Sequence, residues 1–171
     1  MRYFFALWPD ENTRDRLVQA GAGLPKGTGR AVPRQNLHIT LAFLGPLEPG
    51  TVVELCESAA SIEGKPFSLR LDQSGWWRKP RVAWLSASDI PPALLGLVAK
   101  INGLLKRQGI KVDSRPYAPH LTISRKVSRQ PREFEFDPID WEIDSFCLVQ
   151  SSTLPDGAVY ETVGTWPLSS D

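Results

Sequence analysis

Cysteine and histidine, the side chains that most often form disulfides or bind metals, are scarce in this chain. Its 171 residues include two of each. Cys56 and Cys147 show neither a metal-ligand spacing nor a disulfide framework, so we expect two buried thiols. Zinc sites generally need three or more His, Cys or carboxylate ligands at suitable spacing. The sequence therefore predicts no metal site and no cofactor.

An excess of one charge and a long hydrophobic run are also missing. Lys and Arg number 20, and Asp and Glu number 19, which leaves a net charge of +1. No global field then favours a nucleic acid or a membrane, and any anion-binding site must be local. The apolar run before Pro9 is too short for a signal-peptide core or a membrane span. We expect a cytoplasmic protein without membrane contact.

The two histidines stand in matching tetrapeptides, His38–Leu41 (HITL) and His120–Ile123 (HLTI). In each, a threonine follows the histidine by two positions, and aliphatic residues fill the second and fourth places. Threonine makes up roughly 5% of the chain, so two such pairs arise by chance roughly twice in a thousand sequences. The repeat is therefore a signal that needs an explanation.

Hydrophobic periodicity predicts an α+β fold with three helices and seven or eight strands. Helices are expected over about 10–20 and 50–62, and a third begins near 89–92 and ends near Arg107. Residues 74–80 are predicted to form a turn or loop. Strands are expected over 3–7, 36–44, 67–71, 81–85, 120–124, 141–150 and 158–163.

Each motif lies on a predicted strand that follows a helix and a proline-containing loop. This order suggests two similar lobes that face each other within a single domain, 1–171, which we expect to be a monomer. Side chains two positions apart on a strand share a face, so His38 projects with Thr40, and His120 with Thr122. If the lobes bring these faces together, the cleft between them holds two imidazoles and two hydroxyls.

This set of side chains suits acid–base catalysis. Neither motif offers the serine and carboxylate of a Ser-His-Asp triad. An unperturbed histidine pKa near ~6.5 lets neutral and protonated rings coexist, so one ring removes a proton while the other donates one. Threonine hydroxyls can hydrogen-bond the non-bridging oxygens of a phosphate. The residues alone leave open which histidine is the acid, and ordinary strand histidines beside β-forming threonines are the competing interpretation.

The stretches Asn36–Gly45 (NLHITLAFLG) and Pro119–Arg125 (PHLTISR) resemble the paired HxTx motifs of the two-histidine phosphoesterase superfamily. With Arg2–Leu7 (RYFFAL) and Arg81–Leu85 (RVAWL), the chain resembles the bacterial and archaeal RNA 2′,3′-cyclic phosphodiesterases, also called 2′-5′ RNA ligases (ThpR or LigT-like proteins). The resemblance covers nearly the whole chain. It implies a bilobal fold of two antiparallel sheet lobes, with helices outside and a central cleft.

The resemblance also implies a reaction, the metal-independent opening of an RNA-terminal 2′,3′-cyclic phosphate to a 2′-phosphomonoester. His38 would be the proton donor to the leaving 3′ oxygen, and His120 the proton acceptor that activates water. Thr40 and Thr122 would bind the phosphate. The resemblance further implies 2′-5′ RNA ligation, which would join a 5′-hydroxyl to a 2′,3′-cyclic end. RNA ends or nucleotides with a 2′,3′-cyclic phosphate are therefore the expected partners.

Phe43 and Arg125 each lie five positions after a histidine, and the resemblance implies that they flank the terminal base by stacking and cation–π contact. Arg125 is also a candidate contact for the phosphate or the RNA backbone. In a regular strand both side chains would project away from the histidines, so a bulge or the strand's end must redirect them. Core packing of Phe43 and solvation of Arg125 are the competing interpretations.

Two further groups have open roles. Trp76 and Trp77 are expected to pack between strands, although they could stack on bases. The competing functions are the same chemistry on a small cyclic nucleotide, ADP-ribose cyclic phosphate or a 2′-5′ oligonucleotide, a non-catalytic module that binds RNA ends, and a structural protein. Basic residues near the motifs form either a rim for RNA or plain surface charge: Arg30, Arg34, Arg115, Arg125, Lys126, Arg129 and Arg132.

Overall fold

The computed structural model describes residues 1–170, which form ten strands, three α-helices and one short 3-10 helix. The α+β class and the three helices agree with the sequence prediction. The helices are α1 (Glu11–Gly21), α2 (Pro49–Ala59) and α3 (Pro92–Arg107), and the 3-10 helix is Arg34–Asn36. The strands are β1 (Arg2–Leu7), β2 (Arg30–Ala31), β3 (Ile39–Gly45), β4 (Phe67–Leu71), β5 (Gln73–Trp77), β6 (Val82–Ser86), β7 (Leu121–Arg125), β8 (Ile139–Ile143), β9 (Ser145–Leu154) and β10 (Gly157–Pro167).

Eight strands form one antiparallel sheet in the order β10-β9-β1-β3-β7-β6-β5, with β2 added beside β7. The N-terminal strand β1 lies inside one half of this sheet, between β3 and β9. The two halves meet where β3 and β7 pair through Ile39 and Leu121. β4 and β8 form a separate two-stranded sheet. The predicted bilobal fold, with the two motifs at the junction of its halves, is confirmed.

The two faces of the large sheet differ in what covers them. On one face, the main hydrophobic core joins buried side chains of all three helices with Ile39 and Leu121 of the motif strands. Burial of an aliphatic side chain of this size contributes about 1.5–3 kcal/mol. The alternate residues of the motif strands therefore project to the opposite side, which we call the open face. It carries a smaller apolar cluster of Phe4, Ala6, Cys147 and Val149.

Local signals set the ends of the helices. Asp10 accepts a hydrogen bond from the Thr13 amide at 2.7 Å and so caps α1. Gly109 follows α3 with a φ of +72°, a conformation that favours glycine. α2 ends at Ala59, before the predicted end at 62, because the next residues form a hydrogen-bonded turn instead.

The prediction of a loop over 74–80 is wrong in its first half. β5 occupies that half and pairs with β6 along its whole length. Gly75 suggested a turn, but it lies opposite Trp84 and beneath the Trp84 indole. A Cβ at position 75 would overlap the indole Cζ2 atom, so the strand needs glycine here for close packing. The turn is confined to 78–81.

The predicted strand over 141–150 is two strands in two sheets. β8 pairs with β4, whereas β9 pairs with β1 and β10. Asp144 separates them, and its carbonyl accepts a hydrogen bond from the Leu168 amide at 2.7 Å. A continuous apolar pattern does not show where a chain changes sheets, which explains the error.

We expect Gly75→Ala to lower the free energy of unfolding by about 1–3 kcal/mol, because the added methyl group collides with the Trp84 ring. Gly96→Ala is the matched control. Gly96 lies in α3 with no atom within 4 Å of a built Cβ, so alanine there should stabilise the protein by about 0.5–1 kcal/mol. Urea unfolding of both variants measures this difference, and equal effects would contradict the packing of Trp84 over Gly75.

Candidate active site

The pairing of β3 with β7 brings the two motifs together. Ile39 lies opposite Leu121 in an antiparallel pair, so a local two-fold axis between them relates His38–Thr40 to His120–Thr122. Continued in the same register, each histidine lies opposite the other motif's threonine. The two histidines are then diagonal neighbours, with backbones about 7–8 Å apart. This spacing leaves room for a small group between the two rings.

Tyr117 strengthens this junction. Its hydroxyl donates a hydrogen bond to the Thr40 carbonyl at 3.0 Å, which ties the loop before the second motif to the strand of the first. Burial raises the pKa of the Tyr117 hydroxyl, so this donor keeps its proton. No pattern in the sequence indicates this role, because the partner is a backbone atom 77 positions away.

The hydrogen bonds of His38 fix the state of its ring. Nδ1 lies 2.6 Å from the Asn36 carbonyl oxygen, which can only accept, so Nδ1 carries the hydrogen. In the neutral ring Nε2 is then an acceptor, and the Thr40 hydroxyl, 3.1 Å away, donates to it. The predicted His38–Thr40 pair is therefore in direct contact within one motif.

Aromatic rings surround the His38 imidazole. Phe4 and Trp8 both stack with it, at centroid distances of 4.9 Å and 5.4 Å and interplanar angles of 29° and 17°. Tyr160 meets it edge-on at 5.3 Å. The Arg14 guanidinium lies 5.2 Å from the Trp8 ring centre. This packing holds the ring in place, and aromatic faces favour a protonated imidazole over a neutral one.

His120 repeats the backbone contact of His38. Its Nδ1 lies 2.9 Å from the carbonyl oxygen of Ala118, two residues before it, as Asn36 is two residues before His38. Nδ1 therefore carries the hydrogen here too, and Nε2 is the nitrogen left for chemistry. Trp77 packs edge-on against this ring at 4.5 Å. The two motifs thus share the His-x-Thr pattern and the Nδ1 contact that sets the tautomer of each ring.

Burial lowers the pKa of both histidines. The pKa of His38 falls to about 4, because desolvation outweighs the hydrogen bond to Asn36, and the positive charge of Arg125 lowers it further. Desolvation also lowers the pKa of His120, against the Ala118 hydrogen bond and again with help from Arg125. His38 is therefore neutral near pH 7 when no ligand is bound, with Nε2 available to accept a proton.

A register shift redirects Phe43, as the prediction required. Thr40 lies opposite Ala6 and Phe43 lies opposite Phe4, whereas Leu41 has no partner on β1. Ala6 and Phe4 share the open face of the sheet, so Phe43 projects to the same side as Thr40. Its side chain is 58% exposed, which excludes core packing. Phe43 remains a predicted base contact.

A second register shift redirects Arg125. Thr122 and Ser124 are two positions apart on β7, but their partners on β6, Trp84 and Ala83, are adjacent. Ile123 is therefore an extra residue with no partner on β6. Arg125 then projects to the side of Thr122. The side chain is exposed, and its charge acts on the pKa of both histidines. The structure thus brings Arg125 to the site, and its contact with a ligand remains a prediction.

Not all of the predicted basic rim is free to bind an anion. Arg34 forms ion pairs with Glu11 at 2.7 Å and Asp15 at 2.8 Å. Arg115 is paired with Asp113, whose pKa falls to about 2 beside the guanidinium. Both arginines are thereby partly neutralised by carboxylates on the protein surface.

The two adjacent tryptophans have different surroundings. Trp76 packs as predicted, and its indole Nε1 donates to the Val127 carbonyl at 3.0 Å. Trp77 contacts Trp84 as well as His120, so the prediction of packing alone missed its place beside the second histidine. The sequence did contain a signal for this difference. Neighbouring residues of a strand point to opposite faces, so Trp76 and Trp77 on β5 must have different surroundings.

Cys147 shares the apolar cluster of the open face with Phe4, whose ring stacks on His38, and so contributes packing there. Cys147 is buried, and its burial raises the thiol pKa to about 12, whereas Cys56 is half-buried rather than buried as predicted.

Among residues 1–170, no three His, Cys, Asp or Glu side chains gather as a metal site. Within the same range, no helix has the length and apolar character needed to cross a membrane.

The fold and the paired motifs point to a class of phosphoesterases. The model of the LigT-like phosphoesterase family matches this chain over residues 7–84 and 85–160, and each segment contains one His-x-Thr motif. The RNA 2′,3′-cyclic phosphodiesterase of Escherichia coli is 31% identical over 173 residues, which cover 98% of this chain and 97% of that protein. The chain belongs to the LigT-like phosphoesterase family.

Other relatives and solved structures agree. The RNA 2′,3′-cyclic phosphodiesterase of Thermus thermophilus is 30% identical, over all of this chain and 92% of that protein. A crystal structure of a phosphoesterase superimposes with a TM-score of 0.89 at 30% identity, covering 98% of both chains. Escherichia coli LigT in complex with 3′-AMP superimposes with a TM-score of 0.88 at 29% identity, again over 98% of both chains.

We expect a pH titration of the unliganded protein to give a pKa of about 4 for His38, far below the usual 6.5, because its ring is desolvated. NMR of histidine-labelled protein measures this directly, since only two histidines contribute signals. The spectrum of His38→Gln assigns the remaining signal to His120. A His38 pKa near 6.5 would contradict the buried environment.

The same pKa difference makes the protein sensitive to acid. The unfolded chain binds a proton at His38 near pH 6.5 and the folded protein only near pH 4, so stability falls as pH decreases through this window. The loss should reach about 3 kcal/mol. Urea unfolding at several pH values tests this, and His38→Gln should lose less stability over the same range.

Proposed function

We propose that this protein is a metal-independent phosphodiesterase that opens an RNA-terminal 2′,3′-cyclic phosphate to a 2′-phosphomonoester. The central strand pair carries this proposal, because it sets two His-x-Thr motifs side by side in opposite directions. In-line displacement at phosphorus needs a base on one side and an acid on the other. The relatives named RNA 2′,3′-cyclic phosphodiesterase support the choice of substrate.

In the proposed mechanism, His120 Nε2 removes a proton from a water molecule, whose oxygen attacks the phosphorus. The bond between phosphorus and the 3′ oxygen breaks, and protonated His38 Nε2 gives its proton to that oxygen. A protonated Nε2 no longer needs the Thr40 hydroxyl as a donor, so Thr40 becomes free to donate to a phosphate oxygen. Thr122 donates to the phosphate from the other strand. When a 5′-hydroxyl takes the place of water as the nucleophile, the same displacement of the 3′ oxygen forms a 2′-5′ bond.

The role of His38 as proton donor requires that bound substrate raise its pKa. The unliganded ring has a pKa of about 4 and is neutral near pH 7. A phosphate anion close to the ring favours the protonated form, and so do the faces of Phe4 and Trp8. Binding of the anion and protonation of His38 then favour each other.

We expect adenosine 2′-monophosphate, a product analogue, to raise the pKa of His38 by at least one unit, because its phosphate lies beside the ring. NMR titration of the histidine-labelled complex measures the change. Adenosine is the matched control, since it lacks the phosphate and should leave the pKa near 4. If the phosphate raises only the pKa of His120, the assignment of donor and acceptor must be exchanged.

We expect the wild-type protein to hydrolyse a short RNA ending in a 2′,3′-cyclic phosphate with EDTA present, and to release a 2′-phosphate. His38→Gln and His120→Gln should each lower kcat by about 10²–10⁴-fold, the usual contribution of one acid–base group. Thr40→Val and Thr122→Val should lose less. The pH–rate profile should be bell-shaped.

Full loss of activity with EDTA, or a variant of either histidine with wild-type kcat, would overturn the mechanism. Cys56→Ser is a suitable control variant, because Cys56 is half-buried and outside the site. Incubation of the cyclic-phosphate RNA with an RNA bearing a 5′-hydroxyl tests the ligation separately. A panel of small cyclic nucleotides and 2′-5′ oligonucleotides then tests the alternative substrates that share this chemistry.

A further inference from the structure

Two arginines with no acidic partner lie opposite each other beside the proposed site. β2 pairs with β7 so that Arg30 is directly across from Arg125, and both side chains are exposed. Like charges in this position repel each other. Among residues 1–170, neither forms an ion pair, whereas Arg34, Arg70 and Arg115 do. The Arg30–Arg125 pair is therefore unneutralised by the protein.

The backbone holds this pair together. Gly29 adopts a φ of +65°, and a Cβ built there would collide with the Arg125 carbonyl oxygen. The Ser124 hydroxyl donates a hydrogen bond to the Thr28 carbonyl at 2.7 Å. The segment that carries Arg30 is thus pinned against β7 by close packing and hydrogen bonding. The fold therefore holds the two positive charges close together, and an anionic ligand between them would remove their repulsion.

The pair also lies close to the proposed reaction centre. Arg125 projects to the Thr122 side of the sheet, and its charge acts on both histidines. β2 lies on the same edge of β7 as β3, opposite β6, and its Arg30 pairs four positions along β7 from the Ile39–Leu121 contact. The positive charge therefore extends along β7, away from the place where the cyclic phosphate would bind. A second phosphate attached to the first would lie along this direction.

We propose that Arg30 and Arg125 bind the phosphodiester that links the terminal nucleotide of the substrate to the nucleotide before it. A phosphate between two guanidinium groups accepts charge-assisted hydrogen bonds from both and cancels their repulsion. The subsite makes the enzyme select polynucleotide ends over cyclic mononucleotides. This inference rests on the proposed function, and it assigns Arg125 to the RNA backbone rather than to the base.

The test compares 2′,3′-cyclic AMP with the dinucleotide ApA ending in a 2′,3′-cyclic phosphate. Arg30→Gln should lower kcat/KM for the dinucleotide about tenfold, the effect of losing one charged hydrogen bond. Its kcat/KM for the mononucleotide should stay within about twofold, because that substrate has no second phosphate. Arg107→Gln removes the same charge from an exposed position at the end of α3 and should change neither value.

A dinucleotide with an uncharged methylphosphonate link sharpens the result. The wild-type protein should process it less well than the natural dinucleotide, and Arg30→Gln should cause no further loss. Equal losses on the mononucleotide and dinucleotide, or no loss on either, would overturn the subsite.

If the wild-type protein hydrolyses neither substrate, the proposed function fails. Calorimetric affinities of the matching 2′-phosphate products then test the subsite by itself. Arg30→Gln must still weaken binding of the dinucleotide product more than binding of adenosine 2′-monophosphate. Equal weakening of both would reject the subsite.

Discussion

The antiparallel pairing of Ile39 with Leu121 determines where every proposed catalytic atom lies. Both side chains are fully buried under the helices, so the strands are anchored by apolar packing on one face. The alternation of strand residues then delivers two imidazoles and two hydroxyls to the other face. The carbonyl two residues before each histidine fixes the tautomer, so both rings offer Nε2. Packing, register and hydrogen bonding together place the two motifs for the proposed acid–base reaction.

The same arrangement gives the site an electrostatic state suited to an anion. The pKa of His38 is low because its ring is shielded from water, and Arg125 adds positive charge that no carboxylate of residues 1–170 pairs with. Such an environment resists protonation until negative charge enters. A bound phosphate would therefore be stabilised twice, by the charge of the arginine and by the imidazole that becomes protonated beside it.

The sequence was sufficient for the motifs, the helices and the shared face of each His-Thr pair, because these follow from local periodicity. It also showed that Phe43 and Arg125 need a bulge to reach the site, but not that the bulges exist. Register shifts depend on the neighbouring strand, and a single chain does not reveal which strand that is. The aromatic rings around His38 were missed for the same reason. Phe4 and Tyr160 come from opposite ends of the chain and meet only in the folded sheet.

The order of strands has a consequence for the autonomy of the two halves. The family segments 7–84 and 85–160 are consecutive in sequence, yet β9 of the second segment and β10, which begins at its end, extend the sheet half that contains the first motif. A fragment ending near residue 84 would expose the whole edge of β1 that β9 covers, a row of unpaired amides and carbonyls beside Phe4. During synthesis, the sheet half that contains the first motif is therefore complete only after the last strands have been made. A nascent chain that lacks them would be prone to aggregate through that edge.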